Sequence, residues 1–425
     1  MSPGGGAPAA RPFAEAAADV PRPPAKRPLV VVLPFDEIGA DPDQHYFAAG
    51  LTADLAIDLT RCHSLRVASP PRAGVWRPGQ ALPDTPGLGE AAAPRVGYLV
   101  TGSVRRAGSR IRVTARLEEA ETGVHLWADR FDRQMDDLFA VQEELAECLA
   151  SRLATQVDQE GMRRARSRPP ASLDAYDLCL RGRDLRRRGN QADTLRARGM
   201  FDLSIAEDPL YAPSHAWLSY TLIRGFSHRW GEPSGRDALE PSLAAARRAV
   251  ELDPESPTCV SRLGFMQALS GRWDEGLETA RAAVALGPGV FEARQAYAQV
   301  LTHAGDAEEA VRQYALALSL DPFHPVGARV EYARALLLAD RPEEAFAELR
   351  ACAVREPGYS FCFQYLATAA MELGLVGEAR EAVRQLLRIG PYWTVRNSDY
   401  LYCFRRPADG ERFGSALRAA GLPEG

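Results

Sequence analysis

The stretch GPGVFEARQAYAQVLTHAGDAEEAVRQYALALSLDP, residues 287–322, begins at one residue pair ending in proline and ends at another. Such pairs recur along the second half of the chain: Asp208-Pro209, Asp253-Pro254, Gly287-Pro288, Asp321-Pro322, Glu356-Pro357 and Gly390-Pro391. Successive prolines are 45, 34, 34, 35 and 34 residues apart. A period of 34 residues predicts helix-turn-helix units, each of which buries its exposed face only by stacking on its neighbour.

Small residues recur in phase with these prolines, at positions where two helices must approach closely. They are Gly264, Ala280 and Ala283, then Ala298, Ala310 and Ala317, then Ala333, Ala345 and Cys352, then Ala367 and Ala379. This combination is typical of tetratricopeptide (TPR) repeats. The sequence therefore predicts an all-α TPR solenoid of about six units over residues 173–391, with a divergent C-terminal cap at 392–425. The longer unit that ends at Pro254 is expected to contain a loop around Gly225 to Arg236.

Residues 28–160 alternate between strand and helix patterns and predict an α/β domain with a mixed sheet and helices. Strands are expected at 29–33, 65–68, 96–106, 111–117 and 124–131, and helices at 46–61 and 136–157. The segment 111–117 alternates strictly, which places its arginines on one face and its apolar residues on the other. Residues 1–27 are rich in proline, alanine and glycine and are predicted to be a disordered leader, and residues 161–172 a linker.

Several short motifs in the first half resemble the TolB-like N-terminal domain of bacterial regulatory proteins. They are Leu33-Pro34-Phe35, Asp41-Pro42, Tyr46-Phe47-Ala48, Gly50-Leu51-Thr52, Asp54-Leu55, Gly102-Ser103-Val104-Arg105-Arg106, Thr122-Gly123, His125-Leu126-Trp127, Asp132-Arg133 and Phe139-Ala140-Val141-Gln142. The resemblance covers residues 28–182, continues through the repeats and includes the closing segment 417–424. The proline-rich stretch 70–90 departs from the family pattern.

In that family, the two-part unit commonly lies downstream of a class III adenylate or guanylate cyclase domain or of a winged-helix DNA-binding domain. The resemblance therefore implies a signalling protein of bacterial type, and it implies the company of such a domain more than a mechanism.

Composition argues against export, membrane insertion and general attraction to polyanions. The formal charge is -5 with a pI near 5.9, so no global attraction to nucleic acid or anionic membrane is expected. The seven cysteines include no C-x-x-C pair, which suits a reducing cytosol. The N-terminus lacks the pattern of a secretory signal, and the apolar run 29–35 is far shorter than the roughly 20 residues of a membrane helix. We expect a cytoplasmic protein.

No catalytic constellation emerges from the motifs. Asp36 follows an apolar run, as a metal-binding aspartate of a cyclase would, but no second carboxylate motif accompanies it, so we interpret it as a loop residue. The sole lysine, Lys26, lies in the leader, which excludes a Walker A loop. The seven histidines are dispersed, and no G-x-S-x-G or H-E-x-x-H motif occurs. We therefore expect no catalytic residue, no metal site, no cofactor and no enzymatic activity.

One local basic patch stands out. It comprises Arg163, Arg164, Arg166, Arg168, Arg181, Arg183, Arg186, Arg187 and Arg188. Such a run can contact nucleic acid, but Asp174, Asp177 and Asp184 are interspersed and no aromatic interleaving supports base recognition. The pattern favours a solvated helix face, and nucleic acid is not the expected partner.

The repeat phase allows the candidate binding residues to be named, because the first helix of each TPR unit lines a concave groove. They are Ser261, Phe265, Leu269, Gln295, Gln299, His303, Val330, Arg334, Gln364 and Thr368. A mixed polar and apolar groove suits an extended peptide or a partner helix. The leading hypothesis is thus a non-catalytic scaffold or sensor module that binds a protein or peptide partner. The alternative is an accessory part of an adenylate cyclase or transcriptional regulator whose catalytic or DNA-binding domain is absent or separately encoded. The sequence identifies neither the partner nor the oligomeric state.

Overall fold

The computed structural model describes residues 29–38, 46–60, 66–68, 96–107, 110–134, 173–187, 190–233, 235–321, 324–398 and 403–425, with isolated positions between 142 and 149. The predicted leader, the linker 161–172 and the proline-rich stretch 70–90 lie outside these ranges, as does most of the helix predicted at 136–157.

A mixed sheet forms the N-terminal part, as the sequence predicts. Its strands are β1 (Leu29–Val32), β2 (Asp36–Glu37), β3 (Arg66–Ala68), β4 (Val96–Ala107), β5 (Arg110–Glu119) and β6 (His125–Gln134). The strand order is β3-β1-β4-β5-β6, with β2 also pairing with β4. Strand β1 runs parallel to β3 and β4, whereas β4, β5 and β6 are antiparallel.

The position of Asp36 corrects the expectation of a loop residue. Asp36 begins β2 and pairs in parallel with Ser103 of β4. Two residues of strand give no periodic signal, so only pairing with a neighbour reveals them.

The alternation in β5 is confirmed by burial. Ile111, Val113 and Leu117 are buried, whereas Arg112 and Arg116 are exposed. Helix α1 (Tyr46–Thr60) covers the apolar side and buries Phe47, Leu51, Leu55 and Leu59. The hydrophobic core of the domain therefore lies between the sheet and α1.

The second part consists of paired helices. The helices are α2 (Leu173–Arg187), α3 (Gln191–Glu207), α4 (Ala212–His228), α5 (Leu239–Leu252), α6 (Pro257–Leu269), α7 (Trp273–Leu286), α8 (Phe291–Ala304), α9 (Ala307–Leu320), α10 (Val326–Leu338), α11 (Pro342–Arg355), α12 (Ser360–Glu372), α13 (Val376–Ile389) and α14 (Pro407–Ala419). Within the described residues, the pairs from α2–α3 to α12–α13 form six hairpins. Within the longer unit, residues 225–228 are helical, so the expected loop begins only at Arg229.

The recurring prolines mark the ends of the second helices. The residue before each proline is a C-cap: Asp208, Asp253, Gly287, Asp321, Glu356 and Gly390. Proline favours this position because it cannot continue a helix. The periodic prolines therefore separate one hairpin from the next.

The two parts of the chain share a hydrophobic cluster that contains residues of α1, α2 and α3. Asp54 of α1 accepts a hydrogen bond from the Tyr176 hydroxyl at 2.7 Å and pairs with Arg183 at 2.5 Å. Both partners belong to α2. A Cβ at Gly50 would lie only 2.5 Å from the Leu180 side chain, so glycine permits the close approach of α1 to α2.

Candidate functional site

The ten candidate residues lie on the first helices of consecutive hairpins, as the repeat phase predicts. Ser261, Phe265 and Leu269 are on α6, Gln295, Gln299 and His303 on α8, Val330 and Arg334 on α10, and Gln364 and Thr368 on α12. On each helix they are four residues apart, which places them on one face. We call the surface formed by this face, together with the corresponding face of α4, the inner face of the array.

The structure corrects one expectation about this surface. All ten residues are buried, with at most 8% of any of them exposed, so they do not line an open groove. The sequence period locates a face of a helix, but the contacts that cover the face come from distant parts of the chain.

The array curls until non-adjacent hairpins touch. His228 at the end of α4 lies 4.5 Å, between ring centroids, from Phe361 of α12. Close by, the indole N–H of Trp230 donates to the Tyr392 hydroxyl at 3.3 Å. The second and sixth hairpins therefore meet across the inner face.

A non-helical segment, Cys403–Arg406, packs against the inner face at His303 and Arg334. The carbonyl oxygen of Cys403 lies 3.1 Å from Nδ1 of His303, and the N–H of Arg405 donates to the carbonyl oxygen of His303 at 2.8 Å. The Phe404 ring stacks on the His303 ring with centroids 5.0 Å apart. We call these four residues the inner segment.

Two further contacts anchor the inner segment to α7. Arg405 forms an ion pair with Asp274 at 2.7 Å, and the indole N–H of Trp273 lies 3.5 Å from the carbonyl oxygen of Cys403. The chain then enters α14, which packs on α12. Backbone hydrogen bonds, an aromatic stack and one ion pair thus hold this non-helical segment against the inner face and α7.

Arg334 lies at the polar centre of this surface. Its guanidinium forms an ion pair with Glu331 at 2.5 Å and lies within 6 Å of the Tyr365 and Phe404 ring centroids. Burial raises the pKa of the Glu331 carboxyl, although Arg334 opposes the shift. Burial, reinforced by Arg334, holds the pKa of His303 well below its ordinary value, so this imidazole is neutral near pH 7.

Gln364 adds an unusual feature to the same surface. It is fully buried, and neither its amide nitrogen nor its amide oxygen has a hydrogen-bond partner within the described part of the chain. The inner face therefore contains a buried amide whose hydrogen-bonding groups are unused within the described part of the chain.

The other expected sites have different outcomes. Arg163, Arg164, Arg166, Arg168 and Arg188 of the basic patch lie outside the described residues. Arg181 pairs with Asp177 at 2.9 Å and Arg183 with Asp54, so these two arginines are neutralised. Over the described ranges, no group of three His, Cys, Asp or Glu side chains is placed to hold a metal ion.

Sequence reasoning missed the inner segment and the aromatic residues Trp217 and Tyr220 of α4. The inner segment precedes α14, far along the chain from the repeats that it contacts, and it follows no 34-residue spacing.

No helix in the described part of the chain has both the length and the apolarity needed to cross a lipid bilayer.

Comparison with known proteins gives one curated relative. The chain is 34% identical over 260 residues to a protein of Rhizobium meliloti (strain 1021) named "Putative adenylate cyclase 3". The match covers 61% of this chain and 43% of the relative, so the chain spans less than half the length of that protein. No family model matches the chain.

Solved helical-repeat structures are also similar. They include the human IFIT1 dimer with m7Gppp-AAAA (14% identity, TM-score 0.46, 68% of this chain and 74% of that one). The TPR protein YrrB (18%, 0.31, 47% and 96%) and a thermophilic TPR protein of Thermus thermophilus (24%, 0.33, 47% and 94%) are two more. These TM-scores are below 0.5, so we base the assignment of helical repeats on the hairpins and C-caps described above and not on these similarities.

Proposed function

We propose that this chain is a non-catalytic module that binds an extended segment of a protein partner on the inner face of its helical array. The observation that carries the proposal is the inner segment itself. Cys403–Arg406 lies against the inner face through the backbone of Cys403 and Arg405 and the ring of Phe404. Backbone contacts of this kind accept many sequences, and a ring pocket adds selectivity.

On this proposal, a partner segment takes the place of the inner segment. The candidate residues Phe265, Gln299, His303, Arg334 and Gln364 then contact the partner. The remaining candidates, Ser261, Leu269, Gln295, Val330 and Thr368, shape the same surface. The chain's own segment competes because it is tethered, and a tether of this kind corresponds to an effective concentration in the millimolar range.

The test uses a fluorescent peptide of residues 401–408, LYCFRRPA, under reducing conditions. The full chain carrying Phe404→Ala and Arg405→Ala should bind the peptide at least about 10-fold more tightly than the unaltered chain, because its own segment is released. The control variant Arg388→Ala removes an exposed arginine from α13, and it should bind the peptide with the same affinity as the unaltered chain. If the peptide binds none of these proteins at millimolar concentration, the inner face is closed packing and the proposal fails.

The second part of the proposal is that the module is accessory to an adenylate cyclase-type protein. The 34% identity to a protein of that name supports it. The purified chain should form no cyclic AMP from ATP with Mg²⁺ or Mn²⁺. Cyclic AMP above the level of a heat-denatured control, measured by mass spectrometry, would show that the chain is itself catalytic.

A further inference from the structure

Two arginines from different hairpins lie against one aromatic ring, and a third arginine lies one helical turn from that ring. The guanidinium carbons of Arg262 (α6) and Arg186 (α2) lie 3.8 Å and 4.1 Å from the ring centroid of Tyr220 (α4). Arg224 follows Tyr220 by one turn of the same helix. Trp217, one turn before Tyr220, lies 5.0 Å from Arg186 and 5.8 Å from Arg262. We call Arg186, Arg224 and Arg262 the arginine triad.

Within the described ranges, no ion pair joins a carboxylate to the triad, since Asp54 pairs with Arg183 and Glu331 pairs with Arg334. Burial disfavours the charged form of Arg224, but Tyr359, Tyr220 and Glu331 together raise its pKa above the ordinary value, so this arginine is partly compensated. The triad instead contacts aromatic rings and imidazole nitrogens, and Arg224 lies 3.2 Å from Nε2 of His228. A cluster of three cations that is partly removed from water, and that no ion pair within the described ranges neutralises, is costly.

The electrostatic consequence is visible in the pKa values. Burial lowers the pKa of Arg186 to about 10, and the charges of Arg224 and Arg262 contribute. Burial alone would raise the pKa of the Tyr220 hydroxyl, yet the three arginines together hold it below its ordinary value. The lowered pKa of Tyr220 indicates a positive potential at its hydroxyl, whereas the shift of Arg186 is caused mainly by burial.

The triad is partly exposed to solvent. Arg262 is buried, whereas Arg186, Trp217, Tyr220 and Arg224 are half-buried. The site involves the first three hairpins, and it contains none of the inner segment residues.

We propose that Arg186, Arg224 and Arg262 bind the phosphate group of a small phosphate-bearing molecule. Planar guanidinium groups donate paired hydrogen bonds that match phosphate oxygens. A phosphate dianion also balances the excess charge better than a single carboxylate. The ring faces of Tyr220 are occupied by guanidiniums, so recognition is of the phosphate and not of a base stacked on that ring.

The experiment measures binding by isothermal titration calorimetry at low ionic strength, with inorganic phosphate and AMP as the two probes. The unaltered chain should bind at least one of them, and Arg186→Gln and Arg262→Gln should each weaken binding at least about 10-fold. Arg186→Lys should also weaken binding, because it keeps the charge but loses the planar fork. Thermal unfolding without ligand verifies that each variant is folded.

Arg247→Gln is the matched control, because it removes one exposed arginine of α5 from outside the triad. It should change the dissociation constant less than about twofold. Equal affinity for phosphate and AMP identifies the free ion as the ligand, and tighter binding of AMP identifies a phosphate ester. Absence of binding by the unaltered chain, or equal weakening by Arg247→Gln, overturns the proposal. Neither result tests the separate proposal that the inner face binds a peptide.

Discussion

Gly264 of α6 and Gly276 of α7 face each other across the third hairpin with no room for a side chain. A Cβ at Gly264 would lie 2.8 Å from the backbone nitrogen of Ala280 and 3.0 Å from the carbonyl oxygen of Gly276. A Cβ at Gly276 would lie 2.8 Å from the carbonyl oxygen of Gly264. The neighbours are backbone atoms, which cannot rotate away, so the two helices would have to separate.

Gly264→Ala should therefore lower the free energy of unfolding by about 1–3 kcal/mol, the usual cost of overpacking. The control is Gly199→Ala in α3, where no heavy atom lies within 4 Å of the added Cβ. Because alanine favours a helix over glycine, this control should gain up to about 1 kcal/mol. Urea denaturation of both variants checks the prediction, and equal stability of the two would show that the helices of the third hairpin are not in close contact.

The ion pair between Asp54 and Arg183 joins the α/β domain to the first hairpin. Its side chains are only 14% and 12% exposed, so Asp54→Asn leaves a largely buried guanidinium without its charge partner. We expect the free energy of unfolding to fall by about 3 kcal/mol. This value is at the lower end of the range for buried ion pairs, because both side chains keep some contact with solvent. In a double-mutant cycle, adding Arg183→Gln should cost less than the sum of the single losses. Strict additivity of the urea-derived free energies would mean that the two groups do not interact.

Arg334 should behave as a core residue, contrary to the expectation from its place in the repeat. Arg334→Gln leaves the buried Glu331 carboxylate without its ion-pair partner, and such losses cost about 3–5 kcal/mol. Arg388→Gln, on the exposed side of α13, should change the unfolding free energy by less than about 0.5 kcal/mol. A small loss at Arg334, measured in urea beside this control, would restore the interpretation of an open groove.

Buried histidines should make the protein sensitive to acid. Burial lowers the pKa of His324 from 6.5 to about 4, and His228 and His303 are shifted in the same direction. An unfolded chain binds these protons below about pH 6.5 whereas the folded chain does not. The contribution of these histidines to the free energy of unfolding should thus be constant above that pH and should fall as the pH decreases below it.

Each such histidine contributes at most about 1.4 kcal/mol per pH unit. For His324 the loss extends from pH 6.5 down to about 4. The free energy of unfolding of His324→Gln should therefore fall less steeply between about pH 6.5 and 5 than that of the unaltered chain. The value of each protein at neutral pH serves as its own reference. Parallel slopes for the variant and the unaltered chain in urea titrations would contradict the assignment of His324 as a neutral buried side chain.

The periodic part of this architecture is encoded locally. The C-caps before Pro288 and Pro391, and the buried small residues such as Ala283 and Ala317, follow from the sequence because each hairpin repeats the same short-range packing problem. The same holds for β5, whose alternation names its buried face without reference to any partner. Strand β2 and the start of the loop at Arg229 could not be placed, because neither has a period of its own.

The sequence by itself determined the order of the elements, the six hairpins and the face of each helix that carries Phe265, His303 and Arg334. Only the tertiary structure decided what covers that face. Contacts between distant parts of the chain curve the array and bring His228 against Phe361. Such contacts also place Cys403 beside His303, which lies 100 residues earlier in the sequence. The arginine triad was equally hidden, since Arg186 and Arg262 meet at Tyr220 only when three hairpins stack. Local periodicity specifies which side of a helix is apolar or polar, whereas the partner of that side is selected by the summed geometry of all the units between them.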